Sequence, residues 1–309
     1  MTVKVRYRSI ILLLCAILIV SLGLTALFGV KAPEKRADMS IVASFYPLYT
    51  AALNVVGSCD GVTVSCLTQP SAGCLHEYQL SPSERAALGD ADVLIQNGAG
   101  MESFLEPLLE SLTELTVIDT SADMELLSCE EHEHEHEHAH AHNEHVWVDP
   151  ARYAEQVRRL RDGLCMADPV HAEIYIANTE TYLQKISALE RQLQEVSLPF
   201  THTLLFHDSM AYVADALQLE SVATIPLGEH QAVSAADLVT IADALRGKSV
   251  LFLYDDQYTA MHETLTEYAD KAAIVPWNIA VHPISGVDAE DVWLYAMRQN
   301  IAALKEAAA

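Results

Sequence analysis

The stretch DVLIQNGAGMESFLEPLLESLTELTVIDT, from Asp92 to Thr120, decides the fold. Two apolar runs, DVLIQ (92–96) and TVIDT (116–120), read as strands, and a helical stretch at 103–112 lies between them. Apolar strands alternating with helices imply a parallel sheet covered on both faces. The alternation extends upstream. IVASF (41–45) reads as a strand, Pro47 to Val56 as a helix, and VTVSCL (62–67) as a second strand. SPSERAALGDA then carries a helix start, with Ser81 ahead of Pro82 and Glu84. From Pro150 to about Gln194 the pattern is helical, with Arg152, Glu155, Arg158 and Arg159 at helical spacing. Asp168-Pro169 marks a break inside it, because proline restricts the residue before it. Strands then return at TLLF (203–206), SVATI (221–225), VLFL (250–253) and AAIV (272–275), and a last helix runs from about Ala289 to Ala307.

The expected architecture is α/β. An N-terminal lobe (40–149) and a C-terminal lobe (196–309) flank a long helical connection (150–195), after a leader and linker (1–39). Open α/β sheets bind ligands at the carboxyl ends of their strands, so the cleft between the two lobes is the expected site.

The charge narrows the partners. The chain has 43 acidic and 18 basic residues, a net charge of -25. Residues 1–36 carry six bases and one acid, a local charge of +5, so the remainder holds about -30. That excludes nucleic acid, whose phosphates need Lys and Arg, and it suits a protein that meets cations. Lys4, Arg6 and Arg8 precede an apolar run from Ile10 to Val30, the pattern of an export signal. The run is long enough to span a bilayer, and the nearest small-x-small match, Val30-Lys31-Ala32, is followed by Pro33, a poor residue after a cut, so an uncleaved anchor is favoured over a cleaved signal. In both cases the acidic body is extracytoplasmic. An exported location permits disulfides. Cys59, Cys66, Cys74, Cys129 and Cys165 lie beyond the anchor, an odd number that leaves at least one unpaired. A pair among the first three is plausible by proximity.

Three histidines stand where a strand hands over to a helix: His76, His145 and His207. Imidazoles converging on a cleft suit a borderline-soft divalent ion such as zinc. By position alone each is equally a loop histidine, and His171, His202, His230 and His262 read as structural or surface residues.

Five stretches in order add to this reading. IVASFYPLY, HEYQLSPSE (76–84), NGAGMESFL (97–105), HVWVDP (145–150) and FHDSMAYVADALQL (206–219) resemble the metal-binding subunits of ABC importers for zinc and manganese, the cluster A-I solute-binding proteins. The resemblance covers roughly residues 40–306 and implies two Rossmann-like lobes joined by one rigid helix. It also implies a metal held by His76, His145 and His207, delivery to a membrane permease, no catalysis, and a monomer. Many relatives supply a fourth ligand, an aspartate before a proline after the last strand. Here AAIVPWNIAVHPISG has no carboxylate: ungapped matching offers Asn278, and a small insertion offers His282. Water or a carboxylate elsewhere in the cleft are the other options.

Seven of the fourteen histidines lie between His132 and His145, most of them in the tract EEHEHEHEHAHAH that begins at Glu130. With almost nothing apolar, the tract cannot build a packed core. Its imidazoles and carboxylates can still grasp divalent ions loosely, and zinc-uptake members of the resembled family carry such a tract here. His132 to His136 formally matches the His-Glu-x-x-His protease pattern, an accident of low complexity, because that motif needs a stable helix. The expected function is extracytoplasmic zinc capture for an ABC importer. The alternatives are a manganese or iron subunit of the same fold, or an exported zinc hydrolase using Glu77 or Asp208 as base, which turnover of the metallated protein would reveal.

Overall fold

Each apolar run that reads as a strand forms one. The computed structural model describes residues 39–69, 75, 78–128, 142–225, 234–255 and 262–309. The apolar N-terminal run, His76, Glu77, Cys74, Cys129, most of the Glu/His tract (130–141), His230 and the side chain of His262 lie outside the described residues.

In the first lobe β1 (Met39–Ala43) leads into α1 (Tyr46–Val56), then β2 (Val62–Cys66), α2 (Pro82–Gly89), β3 (Val93–Gln96), the four-residue α3 (Glu106–Leu109) and β4 (Thr116–Asp119). All pairings are parallel, in the order β2-β1-β3-β4. The central strands carry Ile41, Val42, Val93, Leu94 and Ile95, all buried, which is why they read as unbroken apolar runs. Ser81 starts α2 as its sequence implies. Its side chain accepts from the Glu84 N–H at 3.3 Å, and the Glu84 carboxylate accepts from the Ser81 N–H at 2.7 Å, a reciprocal cap worth about 1 kcal/mol.

The helical segment folds into two pieces, α4 (Pro150–Ala167) and the 23-residue α5 (Ala172–Gln194), packed side by side. The break falls where Asp168-Pro169 places it. The Asp168 carboxylate there accepts from the Tyr175 hydroxyl at 2.7 Å and pairs with His171 Nδ1 at 2.6 Å. So α4 covers β4, and α5 is the long helix that carries the chain to the second sheet. His171 has the structural role its position implies.

The second lobe repeats the first. It runs β5 (His202–Leu205), α6 (Ala211–Ala216), β6 (Glu220–Thr224), α7 (Ala235–Leu245), β7 (Ser249–Asp255), α8 (His262–Leu265), β8 (Lys271–Trp277) and α9 (Val292–Ala308). Its order is β6-β5-β7-β8, again all parallel. The lobes share packing along the long helix. Trp293 of α9 stacks on Tyr153 of α4 at 4.0 Å. The Thr50 and Asn54 side chains of α1 donate to the Ala289 and Glu290 carbonyls, at 3.1 and 2.7 Å. At the end of α1, Gly57 adopts φ +58, and a Cβ there would meet Asn178 Nδ2 of α5 at 2.7 Å. One core cluster includes residues of both sheets and of this seam, so moving the lobes apart would expose packed apolar surface.

Among the described residues, Cys59, Cys66 and Cys165 are free thiols, so the pair expected among Cys59, Cys66 and Cys74 does not form. Burial pushes the Cys66 thiol up to about 11, which keeps it unreactive. No helix among the described residues is long and apolar enough to cross a membrane.

Candidate metal centre

The carboxyl end of the first sheet is a buried polar network built on Asn97, directly after β3. Its side chain donates to the Glu144 carbonyl at 2.9 Å and accepts from Gln156 Nε2 of α4 at 2.9 Å. Its carbonyl accepts from the Ser121 hydroxyl at 2.6 Å and its N–H donates to Glu102 at 2.7 Å. The turn that follows needs glycine. Gly98 has φ +80, and a Cβ there would fall 2.0 Å from Asp119 Oδ1. The network therefore fixes the main chain at Glu144, one residue before His145.

Glu102 lies wholly inside this network. Its carboxylate accepts from the Ser44 hydroxyl and the Asn97 and Gly98 N–H groups, yet burial outweighs these bonds and pushes its pKa up to about 7. Between about 4.5, its unfolded value, and 7 the folded state holds a proton that the unfolded state has lost. The stability Glu102 contributes is thus complete below about 4.5 and is lost as pH rises to about 7, by on the order of 3 kcal/mol. Melting of the parent and Glu102→Gln across pH 4 to 8 should show this slope in the parent and a flatter profile in the variant.

The HVWVDP segment converts that fixed point into a placed imidazole. Val146–Val148 form one 3-10 turn, and Asp149 caps α4 with Pro150 in its first turn, the preferred positions for both residues. Asp149 also pairs with Arg152 at 3.0 Å. Trp147 is buried, edge-on to Phe45, and its indole N–H donates to the Ile279 carbonyl beyond β8 at 2.8 Å. The Trp147 carbonyl in turn accepts from Trp293 Nε1 at 3.0 Å. His145 is left fully buried between these anchors.

In the second lobe, His207 lies one residue beyond β5 and heads a 3-10 turn, Asp208–Met210, that leads into α6. Its Nδ1 lies 2.9 Å from Asp208 Oδ1, 2.9 Å from Ser209 Oγ and 3.1 Å from the Ser209 N–H. The two histidines meet: their ring centroids are 5.2 Å apart at 89°. Asp208 Oδ1 is also 3.7 Å from His145 Nδ1. Among the described residues, His145, His207 and Asp208 form a group whose potential ligand atoms lie within 4.8 Å of one another. The side chains are 0, 16 and 45% exposed respectively, and the Asp208 Oδ1 that faces the two histidines is itself buried.

The structure thus brings together two of the three expected histidines, one from each lobe; His76 lies outside the described residues. Asn278 is occupied in its own loop. Its Oδ1 accepts from the Ala280 N–H at 2.8 Å, and its N–H donates to Asn300 Oδ1 at 2.9 Å. His282 sits in the same loop and does not join the group. The carboxylate that does join is Asp208, which the sequence offers as a neighbour of His207 and as a hydrolase base, not as a ligand. The remaining signal for it is that adjacency. His202, read as structural, lies 3.7 Å from Glu220, away from the centre.

Residues 41–307 match the family described as zinc-uptake complex component A, periplasmic. The manganese-binding lipoprotein MntA of Halalkalibacterium halodurans is 29% identical over 69% of this chain and 69% of its own length. The zinc-binding lipoprotein AdcA of Streptococcus pneumoniae serotype 4 is 28% identical over 92% of this chain, which spans 59% of that longer protein. The crystal structure of ZnuA shares the fold, with a TM-score of 0.69, 22% identity, and coverage of 88% of this chain and 99% of that one.

Proposed function

The chain belongs to the family of periplasmic zinc-uptake components, and from that premise we propose that it captures Zn²⁺ outside the cytoplasm and delivers it to an ABC permease in the membrane. The observation that carries this is the meeting of His145 and His207, one from each lobe, beside Asp208. His76 is the third ligand of this proposal. Residues 1–39 act as export signal and anchor, and the lobes divide at 40–149 and 196–309 around the connection at 150–195. Neutral imidazoles are the ligands, and two or three nitrogen donors favour zinc over manganese. The ion is cargo, bound and released, and the proposal requires no catalysis.

Manganese is the second reading, favoured by the manganese-binding relative and by the oxygen donor that Asp208 adds. Chelator-stripped protein titrated with zinc in competition with manganese separates the two. Zinc should displace manganese at one site, and displacement in the opposite sense would reverse the assignment.

The Glu/His tract is proposed as a weak accessory store. Ser128 pairs with His142, and the Asn143 N–H donates to the Leu127 carbonyl at 2.8 Å. Removal of residues 131–141 therefore leaves a two-residue connection between paired ends. Calorimetry at pH 7.5 should show the tight site retained and the weak additional zinc ions gone. Equal stoichiometry in parent and deletion would reduce the tract to a solvated loop.

A further inference from the structure

Asn143 is two residues before His145 and touches both lobes. Its Oδ1 accepts from the His145 N–H at 3.0 Å and lies 3.1 Å from His145 Nδ1. Its Nδ2 donates to the Asp208 carbonyl of the second lobe at 2.8 Å. Its own carbonyl accepts from the Tyr212 hydroxyl of α6 at 2.6 Å, and the Tyr212 oxygen accepts from the Leu127 N–H at 3.1 Å. Asn143 is itself 2% exposed.

These partners fix the amide. A carbonyl oxygen can only accept, so the group facing Asp208 O is the NH₂. The atom facing the His145 N–H is then the oxygen, and it confronts His145 Nδ1 as well. An oxygen acceptor at 3.1 Å requires the proton on Nδ1, which leaves the lone pair on Nε2. A metal-bound histidine needs this outer partner to set its tautomer and ring angle. The same amide ties the main chain of Asp208, and hence of His207, to that histidine. Arg152 adds a second cross-lobe link to α6, bonding Asp215 at 2.9 Å with its guanidinium 4.6 Å from the centre of the Tyr212 ring.

We infer that Asn143 is a positioning residue for the proposed metal site: it holds the His145 ring in its Nδ1–H tautomer and ties the His207 turn to it, so that the two imidazoles stand side by side before the ion arrives. The inference rests on the zinc-capture reading. It assigns preorganisation to one amide rather than to lobe closure upon the ion.

Zinc affinity by competition against a chromophoric chelator is compared in the parent, Asn143→Ala, Asn143→Asp and His145→Ala proteins. Long-range ¹H–¹⁵N spectra of the imidazoles show which His145 nitrogen carries the proton before metal is added. Asn143→Ala should bind zinc roughly 10–100-fold more weakly, with the His145 proton shared between both nitrogens. Asn143→Asp keeps the acceptor but sets a carboxylate against the Asp208 carbonyl. It should keep the proton on Nδ1, lose zinc faster than the parent, and show an affinity between the parent and Asn143→Ala. Parent-like affinity in Asn143→Ala, with His145→Ala weakened, would overturn the role of Asn143 and leave the site standing. Weak binding with an unaltered His145 tautomer would also overturn it, since the loss would then come from the structure at large. Parent-like affinity in His145→Ala would instead remove the zinc-site reading itself.

Discussion

Replacement of His207 by alanine is expected to weaken zinc binding by roughly a hundred-fold or more while the protein stays folded. Structural zinc sites bind with about 10–16 kcal/mol, so one ligand in four accounts for about 2.5–4 kcal/mol. The fold should survive because His207 contributes little to the core. It comes just after β5, and its ring caps the short turn at Asp208–Met210, a contact worth about 1 kcal/mol. His145→Ala should lose zinc comparably and cost more stability, since its imidazole is fully buried beside Trp147. Competition titration gives the affinities, and circular dichroism melts separate a lost ligand from a lost fold. A His207→Ala protein that still binds one zinc like the parent would remove this residue from the site.

The largest stability effect is expected at Trp147. Trp147→Ala should destabilise by about 3–5 kcal/mol, the cost of emptying a large buried aromatic site. Phe45 would lose an edge contact at 4.7 Å, and the Ile279 carbonyl would lose its 2.8 Å donor. Trp147→Phe keeps most of the apolar volume and removes that donor, so about 1–3 kcal/mol should be lost. Denaturant melts at constant m-value report both. Because Trp147 ties the segment after His145 to the loop after β8, the alanine variant should also loosen zinc binding. Unchanged stability in Trp147→Ala would contradict the shared seam between the lobes.

The positions of the strands and most helix starts are local properties, and they were legible. Unbroken apolar runs form the buried central strands, Ser81 and Asp149 cap the helices they precede, and Asp168-Pro169 breaks the connection. The stretch at 103–112 yielded less helix than its spacing implies: a 3-10 turn at Ser103–Leu105 and four α-helical residues, Glu106–Leu109. Pro107 sits within this short helix and supplies no N–H. His145 and His207 were legible from their places after strands and from family motifs. The place of Asp208 beside them was not, because its approach to His145 depends on the docking of two lobes. The bridge made by Asn143 and the Trp147–Ile279 bond were hidden for the same reason: their partners lie 65 and 132 residues away, and no periodicity encodes such a pairing.

The central claim is that one zinc ion is held between the lobes by His76, His145 and His207. Its most direct test is a crystal structure of the zinc-loaded protein with anomalous data collected on both sides of the zinc edge. The account predicts one strong peak, present only above the edge, about 2.0–2.1 Å from a nitrogen of each of these histidines. For His145 that nitrogen is Nε2, and Asp208 or water would complete the shell. A zinc peak that touches neither His145 nor His207 would contradict it.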